Sequence, residues 1–483
     1  MTSGQIKPIK PSSGQIITIK RTHPMLWVVS AVAIALLALA PDIHLSKPYL
    51  IAAMAVVIGI TVLMLVRGRY DAAPFHAGAP DALRGIGGLL AKMSPTVLLM
   101  IVFPLVITRI DAQDVNSVQA GSVFLAVSVT VPWMSQAVCV AFYRYFWDLK
   151  DQRDPHLVAG RVLALWPNIV LATLPVAAIF MVVVEAITHW PPAAFLYVMF
   201  GIIAHAFFAQ SQVVINQARL DVMLVVSWAA YAAVIFIAPQ LWLLAPIAGT
   251  IPNVAILLAV SSDVHWHRPS AKEFRGYITD TARGFLTGSV LWADKVVVLL
   301  MTQSAMGIFD MYLALVPAVL AYSYYFAQLA PNLDLAVEQA SGAVQRSGTK
   351  ELRRQANLVS DVVGHAIART LAVAAVAALG LHLLLQVIGG PQLPLGLYIG
   401  PIAALVVTIL CYHLEYIQHR GWACWLAGIH LLAVFALLVP PVSSTIWFVI
   451  AVDVVLSIVG YIRTRQVWGS IPYQMFWRFA MQW

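Results

Sequence analysis

Long apolar segments follow one another along most of the chain, and they constrain the fold more than any other feature of the sequence. Only 10% of the 483 residues are charged, whereas 61% are hydrophobic, and the mean hydropathy is +0.84. A water-soluble protein carries about 25% charged residues, because polar side chains must cover much of its surface. The composition therefore excludes soluble multidomain enzymes and disordered proteins, and it predicts a polytopic membrane protein.

A transmembrane helix needs about 20 predominantly apolar residues, and the chain offers about fourteen such runs. The predicted fold class is all-α, with about 14 transmembrane helices. The predicted spans are 25–42, 49–66, 87–108, 118–141, 163–187, 192–211, 221–238, 241–261, 284–303, 306–328, 364–388, 395–415, 421–441 and 445–462.

Lys and Arg residues fall almost entirely on one side of this arrangement. With fourteen spans and both termini inside, the outer loops hold only Lys47 and Arg109. Cytoplasmic loops are enriched in Lys and Arg, so the pattern predicts an N-in/C-in topology. The net charge of +8 follows from this bias and from attraction to anionic inner-leaflet lipids, and it requires no nucleic acid as a partner.

Polar intervals divide the chain, and without its first hairpin the predicted spans split six and six, as in transporters built from two related halves. Pro132 and Pro317 lie in matching spans, where they predict helix kinks. The predicted regions are a basic cytoplasmic tail (1–24), an N-terminal transmembrane hairpin (25–66), a first six-helix bundle (87–261), a cytoplasmic interlobe loop (262–283), a second six-helix bundle (284–462) and a cytoplasmic tail (463–483).

Asp294 and Lys295 lie near the middle of the span that opens the second half. Ionisable groups inside a bilayer are costly, and they face a cavity or a partner. Adjacent helical residues point about 100° apart, so we expect that these two charges do not simply neutralise each other. At least one should line a water-filled interior or meet a partner on another helix. The alternative is a buried ion pair that fixes helix packing.

Other polar residues near the spans allow more than one interpretation. Asp310 and Glu185 lie near outer ends of spans, where they line an outward vestibule or the membrane interface. Arg144 belongs to a mixed-sign cytoplasmic group that is a gate, a docking surface or a solvated loop. Four further residues are lone polar groups, which we interpret as packing contacts, the alternative being a proton relay: Asp453, His205, His382 and His430.

Motifs of several enzyme classes are missing from the sequence. It contains no GxxxxGK[ST], GxSxG or HExxH motif and no paired CxxC. Its three cysteines lie in apolar stretches and suggest neither a disulfide framework nor a zinc site. We therefore expect a protein that is not an enzyme and that has no catalytic residue, bound metal or cofactor.

Two patches carry a resemblance to a known family. Residues 128–151 (SVTVPWMSQAVCVAFYRYFWDLKD) and 289–317 (SVLWADKVVVLLMTQSAMGIFDMYLALVP) resemble the Pel-type exopolysaccharide transporters. That family belongs to the multidrug/oligosaccharidyl-lipid/polysaccharide (MOP) flippase superfamily. The chain departs from the family pattern after residue 328 and in its two extra N-terminal spans. The matching positions are Trp292, Asp294, Lys295, Arg144, Tyr145 and Asp148.

The resemblance implies a flippase in a bacterial cytoplasmic membrane that exports a polysaccharide or a lipid-linked glycan by alternating access. Asp294, Lys295 and Trp292 would then line the transport cavity. Arg144, Tyr145 and Asp148 would form a cytoplasmic gate or meet a substrate phosphate. Besides the lipid bilayer and the glycan, a glycosyltransferase or synthase complex at the cytoplasmic face is a candidate partner.

Three rival functions remain open at the level of sequence. The first is a cation-coupled exporter of small amphiphiles on the same fold. The second is a membrane-embedded glycosyltransferase, for which Asp111 and Asp114 in a short outer loop are the best available carboxylates. The third is a non-transporting scaffold of a synthase complex, which would tolerate the loss of Asp294 and Lys295.

Overall fold

The structure is a computed structural model. It describes residues 109–110, 114–115, 118–146, 155–217, 221–261, 268–302, 305–346, 349–388, 391, 393, 395–439, 442–470 and 473. The predicted spans 25–42, 49–66 and 87–108 lie outside the described residues. These three spans and the N-terminal tail therefore stay predictions.

Helices make up nearly all of the described chain. A two-residue antiparallel pair, β1 (Asp114–Val115) with β2 (Val118–Gln119), precedes them. The helices are α1 Ala120–Phe146, α2 Pro155–Thr188, α3 Pro192–Gln217, α4 Asp221–Ile237, α5 Ala245–Val260, α6 Ala271–Thr302, α7 Ala305–Tyr324, α8 Ala330–Arg346, α9 Thr349–Ile388, α10 Leu395–Tyr416, α11 Arg420–Val434 and α12 Val442–Gly469.

Each predicted span from 118–141 onward falls on one of these helices. Among the described residues, eight helices are long and apolar enough to cross a membrane, and Val222–Ile237 is a shorter apolar helix. The close succession of 221–238 and 241–261 is resolved by the 3₁₀ segment Pro239–Leu244, which separates α4 from α5. The described chain is thus an all-α, multi-pass membrane protein, while the total of fourteen spans and the N-in/C-in topology stay predictions.

Two of the described helices begin more than ten residues before their predicted spans. α6 starts at Ala271, inside the predicted interlobe loop 262–283, so the loop prediction is wrong for its second part. The physical reason is a capping box: Glu273 Oε2 accepts the backbone N–H of Ser270 at 2.7 Å, and Ser270 Oγ accepts that of Glu273 at 3.3 Å. α9 runs unbroken for 40 residues from Thr349, so the polar stretch before residue 364 is continuous with the predicted span 364–388.

Three apolar clusters hold the described helices together. One cluster contains residues of α2 through α5 and of the first part of α6. A second cluster contains residues of α6 through α12. The third joins α1–α4 to α6, α11 and α12. α6 contributes to all three clusters, so it connects the first half of the described chain to the second.

Helices α1 and α6 approach each other closely. Gly284 and Gly288 form a GxxxG motif on α6, a spacing that lets helix backbones come together. A Cβ on Gly284 would lie 3.0 Å from the backbone of Ala137 on α1. One turn away, the Trp133 indole N–H donates a 2.6 Å hydrogen bond to the carbonyl of Phe285, and the two rings stack at 4.5 Å.

Candidate functional site

Asp294 and Lys295 form an ion pair within α6. Lys295 Nζ lies 2.7 Å from one carboxylate oxygen of Asp294 and 2.8 Å from the other. It also donates a 2.9 Å hydrogen bond to the carbonyl of Leu291, one turn earlier. The expectation that the two charges do not neutralise each other is therefore wrong. The long lysine side chain folds back along the helix, and this overcomes the 100° offset between the two residues.

The same two residues line a pocket inside the second half of the chain. Its walls come from α6, α7, α10 and α12 and from the 3₁₀ segment Phe435–Leu438 that follows α11. Among the described residues, the charged members of the wall are Asp294, Lys295 and Asp453. The apolar wall consists of Val298, Met311, Gly396, Leu397, Gly400, Pro401, Leu437, Ile446, Val449 and Ile450.

Asp453 contacts a histidine on a neighbouring helix. His430 Nδ1 on α11 lies 2.6 Å from Asp453 Oδ1 on α12, and both side chains are almost fully buried. Their interpretation as lone polar groups is wrong, because hairpin packing of α11 against α12 brings them together. His430 Nε2 is also buried, and it has no hydrogen-bond partner among the described residues.

We call Asp294, Lys295, His430 and Asp453 the ionisable cluster. With both carboxylates and the ammonium ionised, the net charge of the cluster is −1 when the imidazole is neutral and 0 when the imidazole is protonated. A net charge is costly in a low-dielectric interior. One added positive charge would therefore change the electrostatic energy of the cluster, both of whose carboxylates line the pocket.

Trp292 lies beside the ionisable cluster on α6. Its side chain is partly buried and packs against two of the three apolar clusters. Its indole Nε1 is buried without a hydrogen-bond partner among the described residues. Trp292 therefore lies at the boundary between the two halves of the described chain. It is not among the residues that line the pocket, so its place in a transport cavity stays a prediction.

Asp310 and Glu185 lie apart from the pocket wall. Asp310 is half-buried on α7. Glu185 is half-buried near the end of α2, with Oε2 enclosed and without a hydrogen-bond partner among the described residues. The structure does not bring either of them into the ionisable cluster, so their placement in an outer vestibule stays a prediction.

The predicted cytoplasmic gate is described only in part. Arg144 and Tyr145 belong to the last turn of α1, and Asp148 lies outside the described residues. Pro132 and Pro317 lie inside α1 and α7, and both helices continue past them. α7 is followed directly by the π-helical segment Tyr325–Leu329, a type of irregularity that is frequent at functional sites.

Sequence reasoning missed a second polar group, between the first half of α6 and the end of α10. Arg283 Nε lies 3.1 Å from Glu415 Oε1, and Arg283 Nη2 lies 3.1 Å from Asp280 Oδ1. Nearby, Tyr416 donates a 2.6 Å hydrogen bond to Asp334 on α8. In the sequence, Arg283 is recognisable only as one of the positive charges that predict the topology.

The other two histidines interpreted as packing contacts have near neighbours. His205 lies 2.7 Å from the carbonyl of Gly201 and 3.0 Å from the hydroxyl of Tyr231. His382 lies 2.9 Å from the amide nitrogen of Gln386. Within the part of the chain that the structure describes, no three His, Cys, Asp or Glu side chains are grouped to hold a metal ion.

Comparisons with known proteins give structural likenesses alone. No protein-family model matches the chain, and no curated protein matches it. A MOP superfamily transporter from Pyrococcus furiosus is 10% identical, with a TM-score of 0.40, and the match covers 79% of this chain and 94% of that one.

A multidrug resistance MATE family transporter of the MOP superfamily is similar to the chain in two conformations. Its inward-facing structure is 12% identical over 80% of this chain and 99% of that one, with a TM-score of 0.41. Its outward-facing structure is 13% identical over 79% and 96%, also with a TM-score of 0.41. Likenesses at such TM-scores do not by themselves assign a family or a function, and the resemblance to Pel-type transporters is not confirmed by them.

Proposed function

We propose that the chain is a membrane transporter that moves a glycan, lipid-linked or as a growing polymer, across a bacterial cytoplasmic membrane to its outer face. The observation that carries the proposal is the ionisable cluster beside a pocket in a multi-pass helical protein. Buried ionisable groups at membrane depth mark transport pathways and proton relays. The glycan class rests on the sequence resemblance of residues 128–151 and 289–317.

The pocket wall supports a role in the conformational cycle and not in sugar binding. Ten of its thirteen residues are apolar or glycine, whereas a sugar presents hydroxyl groups that need polar partners. We therefore assign Asp294 and Asp453 to the equilibrium between inward-facing and outward-facing states. The glycan would travel between the two halves, at the boundary where Trp292 lies.

A single positive charge is the simplest driver of that equilibrium. A proton on His430, or a monovalent cation beside Asp294 and Asp453, brings the cluster from −1 to 0. A ligand shifts two states only by its differential affinity for them. The state with the more enclosed pocket should therefore gain most from this neutralisation, which couples cation entry to the movement of α6 and α12.

The contact between α1 and α6 supplies a pivot for this movement. Both halves meet there through close backbone packing at Gly284 and through the bond from Trp133 to Phe285. In transporters built from two halves, alternating access is largely a rocking of one half against the other around a fixed site. A tight contact allows rotation at one place while more loosely packed helices separate elsewhere.

The test is where glycan accumulates in cells depleted of the protein and rescued with wild type, Asp294→Asn or Lys295→Met. Lys272→Met, an exposed lysine at the start of the same helix, is the matched control. We expect wild type and the control to restore surface glycan, while the two cluster variants leave precursor on the cytoplasmic side. Normal surface glycan in depleted cells would overturn the glycan assignment.

The rival function, export of small amphiphiles, is supported by the apolar pocket wall around Asp294 and Asp453, since small ligands favour pockets of this type. Loss of cation-dependent dye efflux on depletion, with glycan left normal, would select this rival.

A further inference from the structure

Arg369 is a buried charge that the ionisable cluster does not include. It lies at the midpoint of α9, a helix of 40 residues, so about 30 Å of helix separates it from either end. The apolar half of α9 that follows Arg369 is thus about as long as the hydrocarbon core of a bilayer is thick. Arg369 therefore lies at the border between this apolar half and the polar first half of α9.

An arginine at such a border ordinarily extends its head group into water. Arg369 is nearly buried instead, since only 6% of the residue is exposed. Its Nε atom is enclosed, and the guanidinium forms no hydrogen bond or ion pair with any residue that the structure describes. A nearly buried guanidinium without a partner among the described residues is a costly arrangement, and an anion removes that cost.

His365 lies one turn before Arg369 on the same face of α9. Its Nδ1 atom is also buried, without a hydrogen-bond partner among the described residues. An imidazole can donate a hydrogen bond to an oxyanion, and a guanidinium can donate two in a fixed fork. The two side chains therefore place donors and a positive charge on the same face of α9, one turn apart.

The nearest acid on this face is already engaged elsewhere. Asp361, one turn before His365, lies 3.5 Å from Arg465 Nη2 on α12. Arg465 Nη1 also donates to the backbone carbonyl of Ser360. Asp361 is thus directed to α12, and it does not compensate Arg369.

We propose that Arg369 and His365 form a binding site for a phosphoryl group at the inner border of the second half. The inference rests on the proposed function in one respect, since a lipid-linked glycan carries its phosphate at that depth. A phosphoryl oxyanion matches the donor set because Arg binds phosphate through two parallel N–H···O bonds. The phosphoryl group belongs to the transported lipid-linked substrate or to an anionic lipid of the surrounding bilayer.

The test measures binding to the full-length protein in neutral detergent. Farnesyl diphosphate, phosphatidylglycerol and inorganic phosphate are the probes, and farnesol is the uncharged control. Wild type, Arg369→Gln, Arg369→Lys and His365→Phe are compared by ligand-induced shifts in Tm. Arg353→Gln, an exposed arginine on the same helix, is the matched control.

We expect farnesyl diphosphate to bind wild type and Arg353→Gln with equal affinity. Its affinity for Arg369→Gln should be at least ten-fold lower. Arg369→Lys should have an intermediate affinity, because lysine keeps the positive charge but lacks the fork of two N–H donors. If farnesyl diphosphate is the only probe that binds, the site is assigned to the transported substrate. Equal binding by phosphatidylglycerol assigns it to a membrane lipid. Equal affinity of wild type and Arg369→Gln for every probe would overturn the proposal.

The Tm of Arg369→Gln without ligand distinguishes a binding role of Arg369 from a purely structural one. Removing an uncompensated buried charge should leave the Tm of Arg369→Gln equal to that of wild type or higher. A marked fall in that Tm would show that Arg369 has a protein partner, and it would overturn the proposal. Failure of the glycan-export proposal is separate: it shows as normal surface glycan in depleted cells, whatever the outcome of the binding experiment.

Discussion

His430 on α11 and Asp453 on α12 are joined by a contact of 2.6 Å, with both side chains almost fully buried. They are 23 residues apart, and the connection between the two helices, from Leu438 to Val442, lies 8 residues after His430 and 11 residues before Asp453. Residues at similar distances from the turn of a helical hairpin lie at similar depth, because each residue adds about 1.5 Å of rise. The contact places Asp453 at the pocket wall that Asp294 and Lys295 also line.

Replacement of Asp453 by Asn should preserve the contact and remove the charge. The amide oxygen can still accept a hydrogen bond from His430, so we expect the protein to be inserted at the wild-type level. Neutralisation removes the dependence of the cluster on an added cation, and we expect surface glycan to fall at least ten-fold. Asp361→Asn, a half-exposed aspartate on α9, is the control, and an equal loss in both variants would contradict this role.

A double-mutant cycle should reveal the ion pair in α6. Lys295→Met leaves the carboxylate of Asp294 unpaired and half-buried, and breaking a buried pair costs about 3–5 kcal/mol. Combining Lys295→Met with Asp294→Leu removes the stranded charge, so the double variant should be more stable than Lys295→Met alone. Thermal unfolding in detergent measures this order, and additive losses would show that the pair is not coupled.

The close approach of α1 and α6 predicts a strong effect from a single methyl group. In Gly284→Ala the new Cβ meets the backbone of Ala137 at 3.0 Å and the Val140 side chain at 2.6 Å. Overpacking of this type costs about 1–3 kcal/mol. We expect a lower Tm and reduced export, because the pivot between the halves is displaced.

Gly428→Ala on α11 is the matched control for that substitution. Among the described residues, no atom outside its own stretch of helix lies within 4 Å of the position that the new methyl group would take. Alanine also favours helix over glycine by up to about 1 kcal/mol. Gly428→Ala should therefore be as stable as wild type or more stable. A lower Tm in Gly428→Ala than in Gly284→Ala would contradict the packing at both positions.

Arg283 should not tolerate replacement by lysine. Its Nε and Nη2 atoms contact Glu415 and Asp280 at 3.1 Å each, and a lysine presents one compact charge that cannot hold the fork geometry. We expect Arg283→Lys to lose about 1–3 kcal/mol of stability in detergent unfolding, since one carboxylate is left without its donor. Arg275→Lys, an exposed arginine two turns earlier on α6, should be neutral. Equal stability of both variants would exclude a bridging role for Arg283.

Much of the helical layout is predictable because hydrophobic length alone marks a span. The predicted spans from 118–141 onward all fall on helices, including 221–238 and 241–261, which Pro239 divides. The helix start at Ala271 lies outside its predicted span because hydropathy cannot distinguish a polar helical turn from a loop. The Ser270–Glu273 capping box is present in the sequence and predicts that start.

The candidate site is predictable only in part, because side-chain partners depend on helix packing. Asp294 and Lys295 can be identified because ionisable groups are energetically costly inside a span. Their direct pairing cannot be predicted in the same way, because it depends on how the flexible lysine side chain folds back along the helix. The contact of His430 with Asp453 could have been found from their similar distances to the connection between α11 and α12. The isolation of Arg369 could not, because burial without a partner is a tertiary property.

The central claim is that the chain translocates a glycan under the control of the ionisable cluster. The most direct measurement is flipping of a fluorescent, prenyl-diphosphate-linked oligosaccharide in proteoliposomes, with external reduction of the fluorophore reporting the exposed fraction. Wild type and Lys272→Met should expose substrate well above protein-free liposomes when a proton or sodium gradient is imposed, and Asp294→Asn should not. Exposure by wild type no faster than in protein-free liposomes, or equal exposure by Asp294→Asn, would contradict the account.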